Sequence, residues 1–173
     1  MSIADTVLSV RRSLLKLIDK LAFLAPFLLR ITVGVVFVVT GWGKLHNLEQ
    51  VTKYFGEELH IPMPALNAAV SAGTEFFGGI LMILGLGVRL AALPMAFTMV
   101  VAILTAKRDE LDGFASLLRF DEWAYLVMFL VLALIGAGAL SLDALIARRL
   151  GATGAPKSAH PMLEAEPSVA SQG

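Results

Sequence analysis

The sequence has no cysteine and few charged residues. Without cysteine, the chain can form no disulfide, supply no thiolate nucleophile and build no cysteine-ligated zinc or iron–sulfur site. Only 16% of its 173 residues are Asp, Glu, Lys or Arg, compared with about a quarter in ordinary globular domains. The formal net charge is zero, so no basic excess is available to bind nucleic acid. These absences argue against thiol chemistry and nucleic-acid recognition.

Long apolar runs take the place of the missing charge. Hydrophobic residues make up 57% of the chain, and the mean hydropathy is +0.78. Four runs each approach the length of about 20 residues that lets a helix cross a hydrocarbon core about 30 Å thick. They lack the alternation of barrel strands, so helices are the remaining way to satisfy their backbones in lipid. We predict an all-α fold, a four-transmembrane-helix bundle within residues 21–150, with spans Leu21 to Trp42, Ala65 to Leu86, Leu90 to Ala106 and Trp123 to Leu142.

The segments on either side of this membrane domain have different compositions. Within residues 1–20, the stretch "DTVLSVRRSLLKLIDK" places its apolar residues on one side and most of its basic residues elsewhere. This pattern predicts an amphipathic interfacial helix on an anionic leaflet, whose simplest role is anchoring. Ser141 or Asp143 is expected to cap a short helix from Ala144 to Leu150. Residues 151–173 are rich in Ala, Pro, Ser and Gly, which predicts a disordered tail.

The distribution of basic residues predicts the orientation in the membrane. Four spans place both termini on the same side. Leaving out Arg30, which lies inside a span, that side holds eight Lys and Arg residues, and the opposite loops hold five. The positive-inside rule therefore predicts cytoplasmic termini in a multi-pass protein of the plasma (inner) membrane.

Two charged residues lie well inside the apolar runs. Glu75 shares a helical stripe with the small residues Ala68, Ala72 and Gly79, and small residues let helices approach closely in lipid. On the first run, a similar stripe contains Arg30, Gly34, Phe37, Gly41 and Lys44.

The depths of these charges suggest a partner for each. Counted from the cytoplasmic ends of the runs, Arg30 lies about 13 Å deep and Glu75 about 16 Å deep at ~1.5 Å per residue. An unpaired charge near the midplane is costly, so we predict that Arg30 pairs with Glu75. Lys44 lies near the opposite surface and is the weaker candidate. At the cytoplasmic boundary, Arg89 and Asp143 are expected to form a second pair.

The intramembrane charges have two interpretations. A buried pair can simply fix helix register, or it can form a binding site or proton relay in the bundle core. The residues alone leave both open. No metal site is predicted, because the spacing of His46 and His60 in the outer loop matches no metal-binding motif.

Three stretches resemble the landmarks of the DoxX family: "LLRITVGVVFVVTGWGKL" (28–45), "EFFGGILMILGLGVRLAAL" (75–93) and "GAGALSLDALI" (136–146). The resemblance implies a small four-helix integral membrane protein associated with quinol oxidase and thiosulfate:quinone chemistry or with oxidative and thiol stress. It also marks the family's charged positions, which are Arg30, Lys44, Glu75, Arg89 and Asp143 here. Many members carry a His near the end of helix three, where this chain reads Thr105-Ala-Lys107.

The functional hypothesis follows from this resemblance. We expect a non-catalytic subunit or accessory factor of membrane-linked redox chemistry, whose Arg30–Glu75 core binds a quinone headgroup or relays a proton. No catalytic motif is present, so the sequence leaves enzymatic activity open, and any oxidoreductase activity would need a partner subunit or a cofactor. The expected partners are the lipid bilayer, a redox enzyme subunit and a second copy of the chain. The alternatives are a small membrane transporter or chaperone that binds a solute or partner helix in its polar core, and a purely structural scaffold.

Overall fold

A computed structural model describes residues 3–151 of the protein, with side chains from residue 6 onward, and this part of the chain contains helices and no strands. This confirms the predicted all-α class for the described residues. The α-helices are α1 (Ile3–Leu21), α2 (Leu24–His46), α3 (Leu48–Lys53), α4 (Pro64–Leu84), α5 (Val88–Thr105), α6 (Phe114–Leu117), α7 (Asp121–Ile135) and α8 (Leu142–Arg149), with a short π-helix at Tyr54–Glu58 and a 3₁₀-helix at Arg108–Glu110.

Within residues 3–151, three helices are long and apolar enough to cross a membrane. They are α2, α4 and α5, which have 23, 21 and 18 residues. These helices correspond to the first three predicted spans, with ends shifted by up to four residues. Pro94 lies inside α5 without interrupting it.

The fourth apolar run forms a shorter helix than we predicted. Helix α7 ends at Ile135, whereas the apolar run continues to Leu142. The chain then turns through Gly136 and Gly138, whose φ angles of 81° and 75° suit glycine because it has no Cβ. At about 1.5 Å per residue, α7 is about 22 Å long. Three of the four expected spans are therefore helices long and apolar enough to cross a membrane, and the helix of the fourth is cut short by glycine.

The helices α2, α4, α5 and α7 pack side by side around a shared apolar core. Helix α2 packs mainly against α4, and α5 packs mainly against α7. The ring of Phe37 on α2 meets Tyr125 and Phe129 of α7 edge to face, with centroids 5.2 and 5.0 Å apart. Met82 and Met95 are completely buried in the same core. Aromatic packing thus joins α2 to α7, and methionine packing joins α4 to α5.

The outward surfaces of these helices are also apolar. On α5, Leu90, Leu93, Phe97 and Leu104 are each more than half exposed. A continuous exposed apolar surface of this kind suits contact with lipid tails rather than water.

Small residues bring the backbones of α2 and α4 into direct contact. A Cβ added at Gly41 would lie 2.4 Å from the backbone nitrogen of Phe76, and one added at Gly79 would lie 2.7 Å from the backbone nitrogen of Val38. Real Cβ atoms are not found at such distances, so side chains larger than hydrogen do not fit there. The predicted buried faces of both helices are confirmed, since the Glu75 stripe and the stripe from Arg30 to Gly41 are buried.

Short helices form before and after the packed helices. Helix α1 covers the predicted N-terminal segment, although its placement on a membrane stays a prediction. Helix α8 begins as expected, because the hydroxyl of Ser141 caps it by accepting a hydrogen bond from the N–H of Ala144 at 3.1 Å. Of the predicted disordered tail, only Gly151 lies within the described residues.

Gly41→Ala is expected to destabilise the protein by about 1–3 kcal/mol, because the added methyl group would overlap the backbone of Phe76. Gly43→Ala is the matched control. Gly43 lies in the same helix with no atom within 4 Å of an added Cβ, and alanine is favoured over glycine in a helix by roughly 0.5–1 kcal/mol. Tryptophan fluorescence during unfolding in SDS-containing mixed micelles measures both variants. Equal stability of the two would contradict the contact.

Candidate functional site

Glu75 lies on the inner face of α4 and is almost completely buried, with 3% of its surface exposed. It shares this face with Ala68 and Ala72, because spacings of three and four residues keep to one side of a helix. This face packs against α2. A buried carboxylate requires partners that compensate its charge and satisfy its oxygens.

Three side chains supply these partners. The ammonium nitrogen Nζ of Lys44 lies 2.5 Å from Oε1 of Glu75. The hydroxyl of Thr40 lies 3.3 Å from Oε2 and equally far from the carbonyl oxygen of Phe37, so the two share its one proton. The hydroxyl of Ser71 donates to Oε1 at 3.5 Å. We call Glu75, Lys44, Thr40 and Ser71 the carboxylate site. Both carboxylate oxygens have donors, and the two opposite charges balance.

The carboxylate site connects to the surface through its cation. The Lys44 side chain is one-third exposed, whereas the Glu75 side chain is 4% exposed. Lys44 lies two residues before the end of α2, next to the loop that leads to α4. A molecule or proton that reaches Glu75 from this end of the bundle therefore meets Lys44 first.

The predicted Arg30–Glu75 pair is wrong, because the two residues lie at different levels along the α2–α4 contact. Gly41 packs beside Phe76, but Arg30 packs beside Gly85. Gly85 is ten residues beyond Glu75, or about 15 Å along α4 at ~1.5 Å per residue. The prediction assumed that the two apolar runs reach the same depth on the cytoplasmic side. In the structure, the first residues of α2 extend past the end of α4.

Arg30 instead bonds to backbone carbonyls. It is completely buried. Its Nη1 donates to the carbonyl of Met82 at 3.4 Å, and its Nη2 donates to the carbonyl of Leu140. A Cβ at Gly85 would overlap Nη1, so this glycine makes room for the guanidinium. The carbonyl of Met82 also accepts a hydrogen bond from the N–H of Gly85 at 3.2 Å. Arg30 thereby ties the end of α4 to the segment that follows α7.

The predicted Arg89–Asp143 pair is also wrong. The ion pairs in the described part of the chain are Lys44–Glu75, Lys53–Glu49 and Lys107–Glu110.

Asp143 bonds to the turn between α4 and α5. Its carboxylate accepts a hydrogen bond from the N–H of Gly87 at 2.9 Å, and its own N–H donates to the carbonyl of Gly85 at 3.1 Å. Its charge also acts favourably on Arg30. Arg89 lies elsewhere, with its guanidinium against Gly136. Asp143 therefore fixes the start of α8 to the α4–α5 turn, and backbone groups satisfy it in place of Arg89.

The described residues do not form a metal centre. Within residues 3–151, no three His, Asp or Glu side chains lie close enough together to hold a metal ion. Nδ1 of His46 lies 3.0 Å from the carbonyl oxygen of Trp42, and Nδ1 of His60 lies 3.1 Å from the carbonyl oxygen of Glu58. Each histidine thus contacts backbone near its own position.

One exposed loop group has a shifted pKa. A hydrogen bond to Glu110 raises the pKa of Lys107 above its ordinary value, and the charge of that carboxylate acts in the same direction. A raised pKa means that the folded state favours the charged form. The pair therefore contributes stability below the ordinary lysine pKa of about 10.4, and this contribution is lost as pH rises through the raised pKa. This loop pair is separate from the carboxylate site.

Sequence reasoning missed Thr40 and Ser71, although a signal for both was present. Thr40 precedes Lys44 by four residues, and Ser71 precedes Glu75 by four residues. Residues four apart lie on the same face of a helix, so the spacing already indicated that each hydroxyl lies beside a charged residue.

Comparisons with known proteins place the chain among membrane proteins. The DoxX family model matches residues 25–108. The matched region contains Arg30, Lys44, Glu75 and Arg89, but not Asp143 or helix α1.

Three curated relatives are similar over most of their length. The chain is 33% identical to "Putative oxidoreductase CatD" of Bacillus subtilis (strain 168), over 69% of this chain and 85% of that protein. It is 31% identical to inner membrane protein YphA of Escherichia coli (strain K12), over 66% of this chain and 84% of that protein. It is 30% identical to inner membrane protein YqjF of the same strain, over 75% of this chain and 98% of that protein. No solved structure gives a significant match.

A double-mutant cycle tests the carboxylate site. Lys44→Met leaves the buried Glu75 carboxylate without its cation, so its loss of stability should shrink when Glu75→Gln is also present. The expected coupling is about 0.5–3 kcal/mol, measured as free energies of unfolding in mixed micelles. The control cycle combines Arg30→Lys with Glu75→Gln. These sites are far apart, so their effects should add within ~0.5 kcal/mol. Coupling in the control cycle alone would contradict the geometry.

Arg30→Lys is expected to destabilise the protein by about 1.5–3 kcal/mol. A single ammonium cannot hold the carbonyls of Met82 and Leu140 as the guanidinium does, and hydrogen bonds to charged groups have about this value. Arg148→Lys in the exposed part of α8 is the control and should change stability by less than about 0.5 kcal/mol. The same unfolding measurement applies. A neutral effect of Arg30→Lys would show that its carbonyl bonds contribute little.

Proposed function

Because the chain belongs to the DoxX family of membrane proteins, we propose that it is a non-catalytic accessory subunit of a membrane-bound redox system. In this role it holds the carboxylate site next to a partner enzyme that carries the electrons. The observation behind the proposal is the Lys44–Glu75 pair, in which the carboxylate is buried and the lysine side chain is one-third exposed near the end of α2.

We propose that the membrane domain has four spans. Helices α2, α4 and α5 cross as regular helices. Helix α7 crosses together with residues 136–141, which extend it where glycine ends the helix. An even number of spans puts both termini on one side, and the excess of Lys and Arg on that side favours the cytoplasm. In this arrangement the carboxylate site lies toward the outer face of the membrane and Arg30 toward the cytoplasmic face.

The carboxylate site suits proton exchange or the binding of an uncharged polar group. A carboxylate that has an ammonium and two hydroxyls within reach can take up or release a proton while its neighbours balance the change. The partly exposed ammonium of Lys44 can also donate to a carbonyl oxygen, such as that of a quinone headgroup. Proton exchange and ligand binding each need access to the site only from the end of the bundle at which Lys44 lies.

The packing between the two polar regions favours an accessory site over a transport path. Gly34 and Gly79 hold the α2 and α4 backbones in contact between the level of Arg30 and the level of Glu75. Arg30 is also bonded to backbone carbonyls, which leaves its two Nη groups engaged. A solute that entered at Lys44 would meet this closed contact, so we place the transporter alternative second.

Electron transfer in this system is assigned to a partner. The chain has no cysteine, and the described residues bring together no group of three metal-ligating side chains. The curated name of the Bacillus subtilis relative contains the word oxidoreductase. Redox chemistry in proteins ordinarily depends on a cofactor. We therefore propose that a separate subunit binds the cofactor and that this chain supplies the membrane site.

Membrane vesicles from the natural host test this proposal. Vesicles from cells without the chain should oxidise quinol or quinone-linked thiol donors several-fold more slowly than vesicles from cells with it, measured as oxygen consumption. The wild-type chain and Gly43→Ala should restore the rate, since a Cβ added at Gly43 would have no atom within 4 Å. Glu75→Gln, which removes the carboxylate, should fail to restore the rate although an immunoblot finds equal amounts of protein.

Two other outcomes are informative. Equal rates with and without the chain would contradict the accessory role. Full restoration of the rate by Glu75→Gln would show that the carboxylate has no part in the mechanism and that the subunit is purely structural.

A further inference from the structure

Helix α1 has an apolar face that no part of the described structure covers. Val7, Leu14 and Ile18 are each more than half exposed and lie on one side of the helix, as spacings of seven and four residues dictate. Arg11 shares this side, four residues after Val7, and its long side chain can extend from the apolar face toward water. Ser9, Arg12 and Lys16 lie on the opposite side. The helix also precedes the family match, which begins at residue 25.

The linkage of α1 to α2 fixes where this face can lie. Only Ala22 and Phe23 separate the end of α1 from the start of the spanning helix α2. The C-terminal end of α1 is therefore held at the level where α2 enters the membrane. A helix with this many charges fails the requirements for a span, so it lies along the surface at that level.

A second basic helix emerges at the same end of the bundle. The bond from Arg30 to the carbonyl of Leu140 places the start of α8 beside the first turns of α2. Helix α8 then carries Arg148 and Arg149 in its last turn, both exposed. Positive charge from α1 and α8 therefore collects at one end of the molecule.

We propose that α1 is a binding surface for anionic phospholipids of the leaflet that its own α2 enters. The apolar face sits among the upper acyl chains, the long side chain of Arg11 extends from that face to the headgroup phosphates, and Arg12, Lys16 and Lys20 add positive charge above the headgroups. Helix α1 carries four basic residues and two acidic ones. Its net positive charge is therefore complementary to an anionic surface. A second copy of the chain would bring the same positive charge against α1, so lipid is the better occupant.

The absence of native cysteine provides a direct test in the full-length protein. Leu14→Cys introduces the only thiol on the apolar face, and Ser9→Cys introduces a nearly isosteric thiol on the polar face as its matched control. Both variants are placed in nanodiscs, where both membrane surfaces are open to reagent. One set of discs contains phosphatidylcholine alone, and the other contains phosphatidylcholine and phosphatidylglycerol. The rate of reaction with a charged, water-soluble maleimide is then measured.

In the discs with phosphatidylglycerol, Leu14→Cys should react at least about tenfold more slowly than Ser9→Cys, since an interfacial helix buries its apolar face about 5–10 Å. The protection should weaken in phosphatidylcholine alone, in high salt, and when Arg12, Lys16 and Lys20 are changed to Gln.

Three results would overturn the proposal. Equal labelling of the two cysteines in both kinds of disc would mean that α1 stays in water. Equal protection of Leu14→Cys in both kinds of disc would remove the preference for anionic lipid. Protection that persists in detergent micelles at high protein concentration and disappears on dilution would assign the face to a second copy of the chain.

Discussion

The close contact between the backbones of α2 and α4 determines which partners the buried charges can reach. Gly34, Gly41 and Gly79 leave no room for larger side chains at the contact, so the two backbones meet closely in the observed register. In this register Lys44 reaches Glu75, and Arg30 reaches the carbonyl of Met82 at the end of α4. A shift of one helical turn would separate the first pair and press Arg30 against a different part of α4.

The sequence predicted the faces of these helices well because helical periodicity fixes them. The stripes of small and charged residues on α2 and α4 are buried as expected. The offset between the helices is set by tertiary packing, which periodicity within one helix does not contain. Estimating depth from the ends of apolar runs therefore assigned Glu75 to Arg30 instead of Lys44. The same limit applies to α7, where an unbroken apolar composition concealed the turns at Gly136 and Gly138.

Arg30 and Lys44 meet different needs, and this difference bears on function. Arg30 donates to the carbonyl of Met82 in the last turn of α4 and to the carbonyl of Leu140 just before α8, so its bonds hold backbone segments together. Asp143 has a similar role, because it binds the N–H of Gly87 and holds α8 to the α4–α5 turn. Arg30 and Asp143 therefore hold together the end of the bundle that we place at the cytoplasmic face.

Glu75 and Lys44 satisfy no backbone group, since their bonds run to each other and to the hydroxyls of Thr40 and Ser71. Well-packed apolar residues of similar volume often replace a buried ion pair with no loss of stability, because burying two charges is itself costly. Folding alone therefore gives little reason for a carboxylate at position 75. A role in proton exchange or in orienting a polar ligand explains the carboxylate. We therefore place the proposed function at the carboxylate site rather than at the better-buried Arg30.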